Sequence, residues 1–61
     1  MNKKEKLASL MKEAKEFAEK MDTAKAEDVQ KLAEYKSNIE ALQAEIEADE
    51  EKAGLLKMIG T

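Results

Sequence analysis

The larger apolar residues near the start of the chain are Leu7, Leu10, Met11, Phe17 and Met21, with Ala14 and Ala18 between them. Their gaps of three or one residues place all seven on one stripe of an α-helix, at heptad a, d and e positions. Lys12, Lys15, Glu16, Glu19 and Lys20 take the opposite face. Lys12–Glu16, Lys15–Glu19 and Glu16–Lys20 are oppositely charged and four residues apart, an arrangement worth roughly 0.2–0.5 kcal/mol per pair. The pattern predicts a first helix over about residues 3–21. The stripe then lapses through Asp22-Thr23-Ala24-Lys25 and resumes at Val29. Asp22 and Thr23 are both N-cap types. Neither has Glu or Gln three residues on, so there is no capping box. Glu27 and Asp28 suit the first turn of a helix, where the macrodipole favours acids. A break over 22–25 and a second helix from about residue 26 follow. With neither Gly nor Pro in the break, one uninterrupted helix is the competing arrangement.

The second helix carries a cleaner heptad. Leu32, Tyr35, Ile39, Leu42 and Ile46 are spaced alternately three and four apart, and the series runs on through Asp49 to Ala53 and Leu56. A polar residue such as Asp49 in a seam can specify register at some cost in stability. Gly54 could end this helix as a C-cap. Ending there would crowd Glu47, Asp49, Glu50 and Glu51 at the negative end of the dipole with only Lys52 to offset them. A helix reaching about Ile59, with Gly60 as its stop, removes that conflict for about 1 kcal/mol, the cost of an interior glycine.

These elements predict an all-α fold: a two-helix antiparallel hairpin with coiled-coil packing, one domain over residues 1–61, oligomeric. Folding at the break sets Met21 against Val29, Phe17 against Leu32, Leu10 and Met11 against Ile39, and Leu7 against Leu42. The expected intramolecular seam is then Leu7, Leu10, Met11, Phe17, Met21, Val29, Leu32, Tyr35, Ile39 and Leu42. The second helix outruns the first. Ile46, Ala53, Leu55, Leu56, Met58 and Ile59 are left overhanging, for self-association or for another partner. Only 16 of the 26 hydrophobic residues are larger than Ala. So small a core rarely stabilises a chain of this length alone, which again predicts a dimer or higher assembly.

Charge adds polarity to this picture. Residues 1–25 hold seven Lys and five acids, residues 26–61 four Lys and nine acids, so the halves differ in sign within a net charge of -3. They are expected to be mostly solvated helix faces, with attraction between the halves as the sharper alternative. The basic start Met1-Asn2-Lys3-Lys4-Glu5-Lys6 is followed by no uninterrupted apolar stretch, so neither a signal peptide nor a membrane span is expected, and a cytoplasmic setting is. The sequence stops close behind an apolar cluster, which suggests a piece of a longer chain. Its chemistry is sparse. There is no Cys, no His and no Pro. Disulfides, thiolate chemistry and a His-based nucleophile pair are therefore excluded. No EF-hand loop is present, and Glu47, Glu50 and Glu51 read as a solvated acidic face. Lys20 and Lys25 alone are too few for a nucleic-acid stripe. No enzyme activity, cofactor, metal, nucleic acid or membrane is expected.

One resemblance goes further. Glu27-Asp28-Val29-Gln30-Lys31-Leu32-Ala33-Glu34-Tyr35 and then Asn38-Ile39-Glu40-Ala41-Leu42-Gln43-Ala44-Glu45-Ile46 resemble the N-terminal segment of tailed-phage major capsid proteins of the Hong Kong 97-like family. That segment has a short helix, a break, two acids and a helix patterned F-x-x-L-x-x-E-I-x-x-L-x-x-x-I. Leu32 stands where an aromatic is usual, Asn38 where an acid is usual, and Arg is absent. The resemblance implies an internal scaffold, the delta domain, that holds capsid subunits together inside an immature shell in the infected host's cytoplasm. It implies other capsid subunits and a maturation protease as partners, and no catalytic residue. The implied working parts are the seams: Leu7, Leu10, Phe17, Leu32, Ile39, Leu42, Ile46 and Leu56. The alternative reading is a stand-alone dimeric helical-hairpin adaptor that binds a protein through residues 53–59.

Overall fold

The computed structural model describes residues 2–60. They form two helices, α1 over Lys3–Lys20 and α2 over Ala26–Ile59, packed as a hairpin. The chain is a rod of 55 × 18 × 13 Å. Its length is that of α2, since a 34-residue helix spans about 51 Å at 1.5 Å per residue. The break competes successfully against a continuous helix.

Local chemistry explains both ends of α1. Asn2 is the N-cap, its side-chain oxygen accepting the Glu5 amide at 2.8 Å. Glu5 adds an acid to the first turn and Lys20 a base to the last, each complementing the dipole. Met21 then leaves the helix in an extended conformation while its N–H still donates to the Phe17 carbonyl at 2.8 Å.

Two aspartates organise the connection. Asp22 Oδ1 accepts the Ala24 N–H at 2.9 Å, and the Asp22 carbonyl accepts from Lys25 N–H at 3.0 Å. This is an Asx-type turn, in which a short side chain replaces a backbone acceptor and no glycine is required. The Asp22 N–H donates to Asp28 Oδ2 at 3.1 Å, tying the turn to the first turn of α2. The N-cap of α2 is therefore neither Asp22 nor Thr23. It is Lys25, which makes no side-chain cap bond. Asp22 is held one turn too early, by its own turn.

The far end matches the longer of the two expected helices. Gly54 lies inside α2, and Gly60 caps it with a hydrogen bond from its N–H to the Leu56 carbonyl at 2.8 Å. Propagation of an established helix adds a hydrogen bond per residue without a new nucleation cost. Lys52, Leu55, Leu56, Lys57 and Met58 are all good helix formers, which offsets the glycine.

The register differs from the expected one by about a turn. Phe17 faces Tyr35, ring centroids 5.7 Å apart and tilted by 43°, where Leu32 was expected. At the open end Lys3 Nζ reaches Asp49 Oδ2 at 2.7 Å and Lys4 Nζ reaches Glu50 Oε1 at 3.2 Å. Counting between these pairs sets Leu10 level with Leu42 and Leu7 close to Ile46. The cause is the connection. Met21 and Lys25 are both extended, so the chain crosses between the helix axes before α2 begins. The first turn of α2 then lies beyond the end of α1.

Candidate functional site

The seam is built from two heptads. Leu7, Leu10, Ala14, Phe17 and Met21 line α1, and Leu32, Tyr35, Ile39, Leu42 and Ile46 line α2; all are half-buried. Among the described residues no side chain is fully buried. Two helices cannot surround a residue: each seam side chain has a neighbour in front and solvent at both flanks.

Three expected assignments change. Met11 and Val29, expected in the seam, are 45% and 46% exposed. Each lies one residue past a seam position, about 100° around its helix. The seam position next to Val29 belongs to Asp28, which is half-buried and engaged by the Asp22 amide. Counting the heptad of α2 backwards from Leu32 lands on Asp28, a signal present in the sequence that apolar spacing alone passes over. Ile46, expected in the overhang, is half-buried and lines a surface depression with Asn2, Lys3, Lys4, Asp49 and Glu50. The one-turn shift brings α1 far enough along α2 to cover it.

Asp49, the polar interruption of the heptad, is the acceptor for Lys3. That hydrogen bond raises the Lys3 ammonium above its ordinary pKa; partial desolvation opposes it, and the charges of Asp49 and Glu45 add to it. Both polar seam positions of α2 therefore mark an end of the hairpin, Asp28 at the turn and Asp49 at the mouth. Among the described residues the ion pairs are these two at the mouth and a Lys36–Glu40 pair at 4.0 Å. The three pairings offered along α1 at Lys12–Glu16, Lys15–Glu19 and Glu16–Lys20 are not closed. The basic-to-acidic attraction between the halves is realised locally, at the mouth.

The two flanks of the seam are unlike. On one, Lys31 Nζ lies 5.2 Å from the Phe17 ring centroid, a cation–π contact that uses the ring's negative face. Its neighbours in heptad phase are Lys6, Glu13, Lys20, Asn38 and Glu45, so this flank is polar. The other flank, marked by the Lys4–Glu50 pair, holds Met11, Ala18, Val29, Lys36 and Gln43 in the equivalent positions. An open groove of about 540 Å³ lies along it, walled by Ala14, Val29, Leu32, Ala33, Tyr35 and Ile39 and rimmed by Lys36, Glu40 and Gln43.

Beyond Glu50 the helix has no partner element. Every described residue from 51 to 60 is exposed, Leu55 and Leu56 by 53% and 54%, Met58 and Ile59 by 83% and 79%, and Ala53 with them. Leu56 and Ala53 continue the seam phase. Leu55, Met58 and Ile59 do not, so the apolar surface of the overhang wraps away from the direction of α1. No described helix is long and apolar enough to cross a membrane. Among the described residues no group of three or more acids is arranged to hold a metal ion. The surfaces the described residues present are apolar strips and charged rims. Compared with protein-family models, curated proteins and solved structures, the chain matches none.

Proposed function

We propose that the chain is an assembly segment, a non-catalytic hairpin that holds protein subunits together, and that it serves as the internal scaffold of a phage capsid subunit. The observation that carries the reading is the unfinished packing. The chain forms a regular hairpin yet buries none of its described side chains and leaves four large apolar residues on a projecting helix end. Covering a large aliphatic side chain contributes about 1.5–3 kcal/mol relative to leaving it exposed. Subunit contact is therefore the direct route to stabilising this surface. The capsid assignment itself rests on the resemblance of residues 27–46 and on the helix–break–helix order.

The test is deletion of residues 1–61 from the subunit that carries them, followed by electron microscopy of expressed particles. Loss of closed shells supports the reading, and normal shells contradict it. An Ile39→Asp, Leu42→Asp variant should reproduce the loss, since it removes two aliphatic contacts from the half-buried seam and sets two like charges in their place. Circular dichroism of that variant separates an unfolded segment from a folded one that fails to assemble. The exposed strip at 53–59 also suits an adaptor that grips another protein. That reading gains if the chain binds a partner without shells and Leu56→Lys or Ile59→Lys abolishes the binding.

A further inference from the structure

The groove on the apolar flank has features that select its occupant. Its walls are almost wholly apolar, and its rim carries one cation and one anion, Lys36 and Glu40, four residues apart on the same strip of α2. A strip with a positive and a negative group separated along its axis is complementary to itself when turned end for end. The two large residues that the hairpin leaves outside its seam, Met11 and Val29, both belong to this flank, one on each helix. The opposite flank carries only charged and amide groups at the equivalent positions, whereas this one sets Met11, Ala18 and Val29 beside Lys36 and Gln43, so it is the more apolar of the two.

We propose that this flank is an isologous dimer face, on which a second copy of the chain packs with the two α2 helices antiparallel about a two-fold axis that crosses the face midway between Lys36 and Glu40. This rests on the assembly reading above and adds to it the face and the orientation. Turning the chain about that axis brings Lys36 of each copy to Glu40 of the other, exchanging one weak intrahelical pair for two intermolecular ones. It sets Ala33 opposite Gln43, where a small residue permits close approach of the helices. Met11, level with Ala41 on its own hairpin, arrives at the height of Tyr35 of the second copy. The product is a four-helix arrangement in which Leu32, Tyr35 and Ile39 gain a cover on their open side. The overhangs point in opposite directions from this pair, free to engage further subunits.

The experiment uses the full chain, whose lack of cysteine gives a clean background. Ala33→Cys and Gln43→Cys are prepared separately and oxidised alone and mixed. Disulfide formation requires Cα atoms within about 7 Å. The antiparallel face predicts that the mixture cross-links much faster than either variant alone. Faster cross-linking of Ala33→Cys with itself would mean a parallel pairing and would overturn the proposal. In parallel, Lys36→Glu and Glu40→Lys should each raise the dissociation constant about tenfold by placing like charges together, and mixing them should restore association as a heterodimer. Circular dichroism verifies that each variant stays helical. Association of the wild-type chain that ignores both charge reversals overturns this face and leaves the assembly reading standing. A strictly monomeric wild-type chain at high micromolar concentration removes the dimer, while the shell-deletion experiment still judges the assembly reading by itself.

Discussion

The two stretches of α2 on either side of Glu50 are one continuous helix with two different reasons for existing. From Ala26 to Glu50 the helix packs: a strict heptad faces α1, and Asp28 and Asp49 close its two ends through the Asp22 amide and Lys3. From Glu51 to Ile59 it propagates, with no second helix beside it and its apolar residues spread around the axis. Over its whole length α2 shows little segregation of apolar from polar faces, whereas α1 shows it clearly. The contrast arises because every large apolar residue of α1 lies near the side that faces α2, whereas Leu55, Met58 and Ile59 of α2 fall outside its heptad phase. On the proposed assembly reading, a helix end that stays helical without packing, and carries Leu55, Leu56, Met58 and Ile59, is a surface for contact.

The largest expected effect distinguishes these regions directly. Phe17→Ala removes the ring that meets Tyr35 and Lys31 in the middle of the hairpin. For a half-buried ring the loss should be about 2 kcal/mol, below the ~3–5 kcal/mol of a fully buried one. Leu56→Ala should leave hairpin stability within about 0.5 kcal/mol, because Leu56 is more than half exposed and lies beyond the reach of α1. Thermal melts by circular dichroism, at the lowest usable concentration, check both. Equal destabilisation by the two substitutions would erase the distinction.

Asp28→Ala tests the turn end. It strips the acceptor from the Asp22 N–H and should cost about 1 kcal/mol. Asp28→Asn keeps an oxygen and should recover most of that. Gly54→Ala sharpens the comparison from the other side. Apart from the helix's own adjacent backbone, nothing lies within 4 Å of the added methyl, so the substitution should strengthen the local helix by about 1 kcal/mol. Amide exchange should slow over residues 51–59 and stay unchanged over 10–18. Slowing throughout would mean that the overhang and the hairpin fold as one unit.

The smallest effect is at the mouth. Asp49 holds Lys3 above its ordinary pKa, so the folded state binds the Lys3 proton more tightly than the unfolded chain does. The contribution is therefore fully present below the ordinary lysine value and is lost as pH rises through the raised one, in the range above about pH 10.4. Lys3→Met should remove that alkaline step from a plot of melting temperature against pH and leave the neutral region nearly unchanged.

Much of this was legible from residue spacing. The lapse after Met21, the heptad from Leu32 and the conflict between Gly54 and the acids before it located both helices to within a residue or so. The cap at Asn2, with Glu5 three residues on, is a further signal in the sequence that apolar spacing passes over. Register was not legible, because it depends on how extended Met21 and Lys25 are, and one step of the heptad looks like another. Apolar spacing alone draws Met11 and Val29 into the seam, whereas the structure leaves both exposed. The structure gives the turn-side seam position to Asp28, whose hydrogen bond outweighs its polarity. The apolar flank that follows from their displacement could be seen only once the register was set.

The central claim is that this chain's packing is completed between chains. Thermal unfolding followed by circular dichroism across low to high micromolar concentrations, paired with sedimentation equilibrium on the same samples, tests it most directly. Coupled folding and association predict a melting temperature that climbs with concentration, together with a mass that rises from one chain toward two or more. A single-chain mass at every concentration, with a cooperative melt that does not move, would contradict the claim.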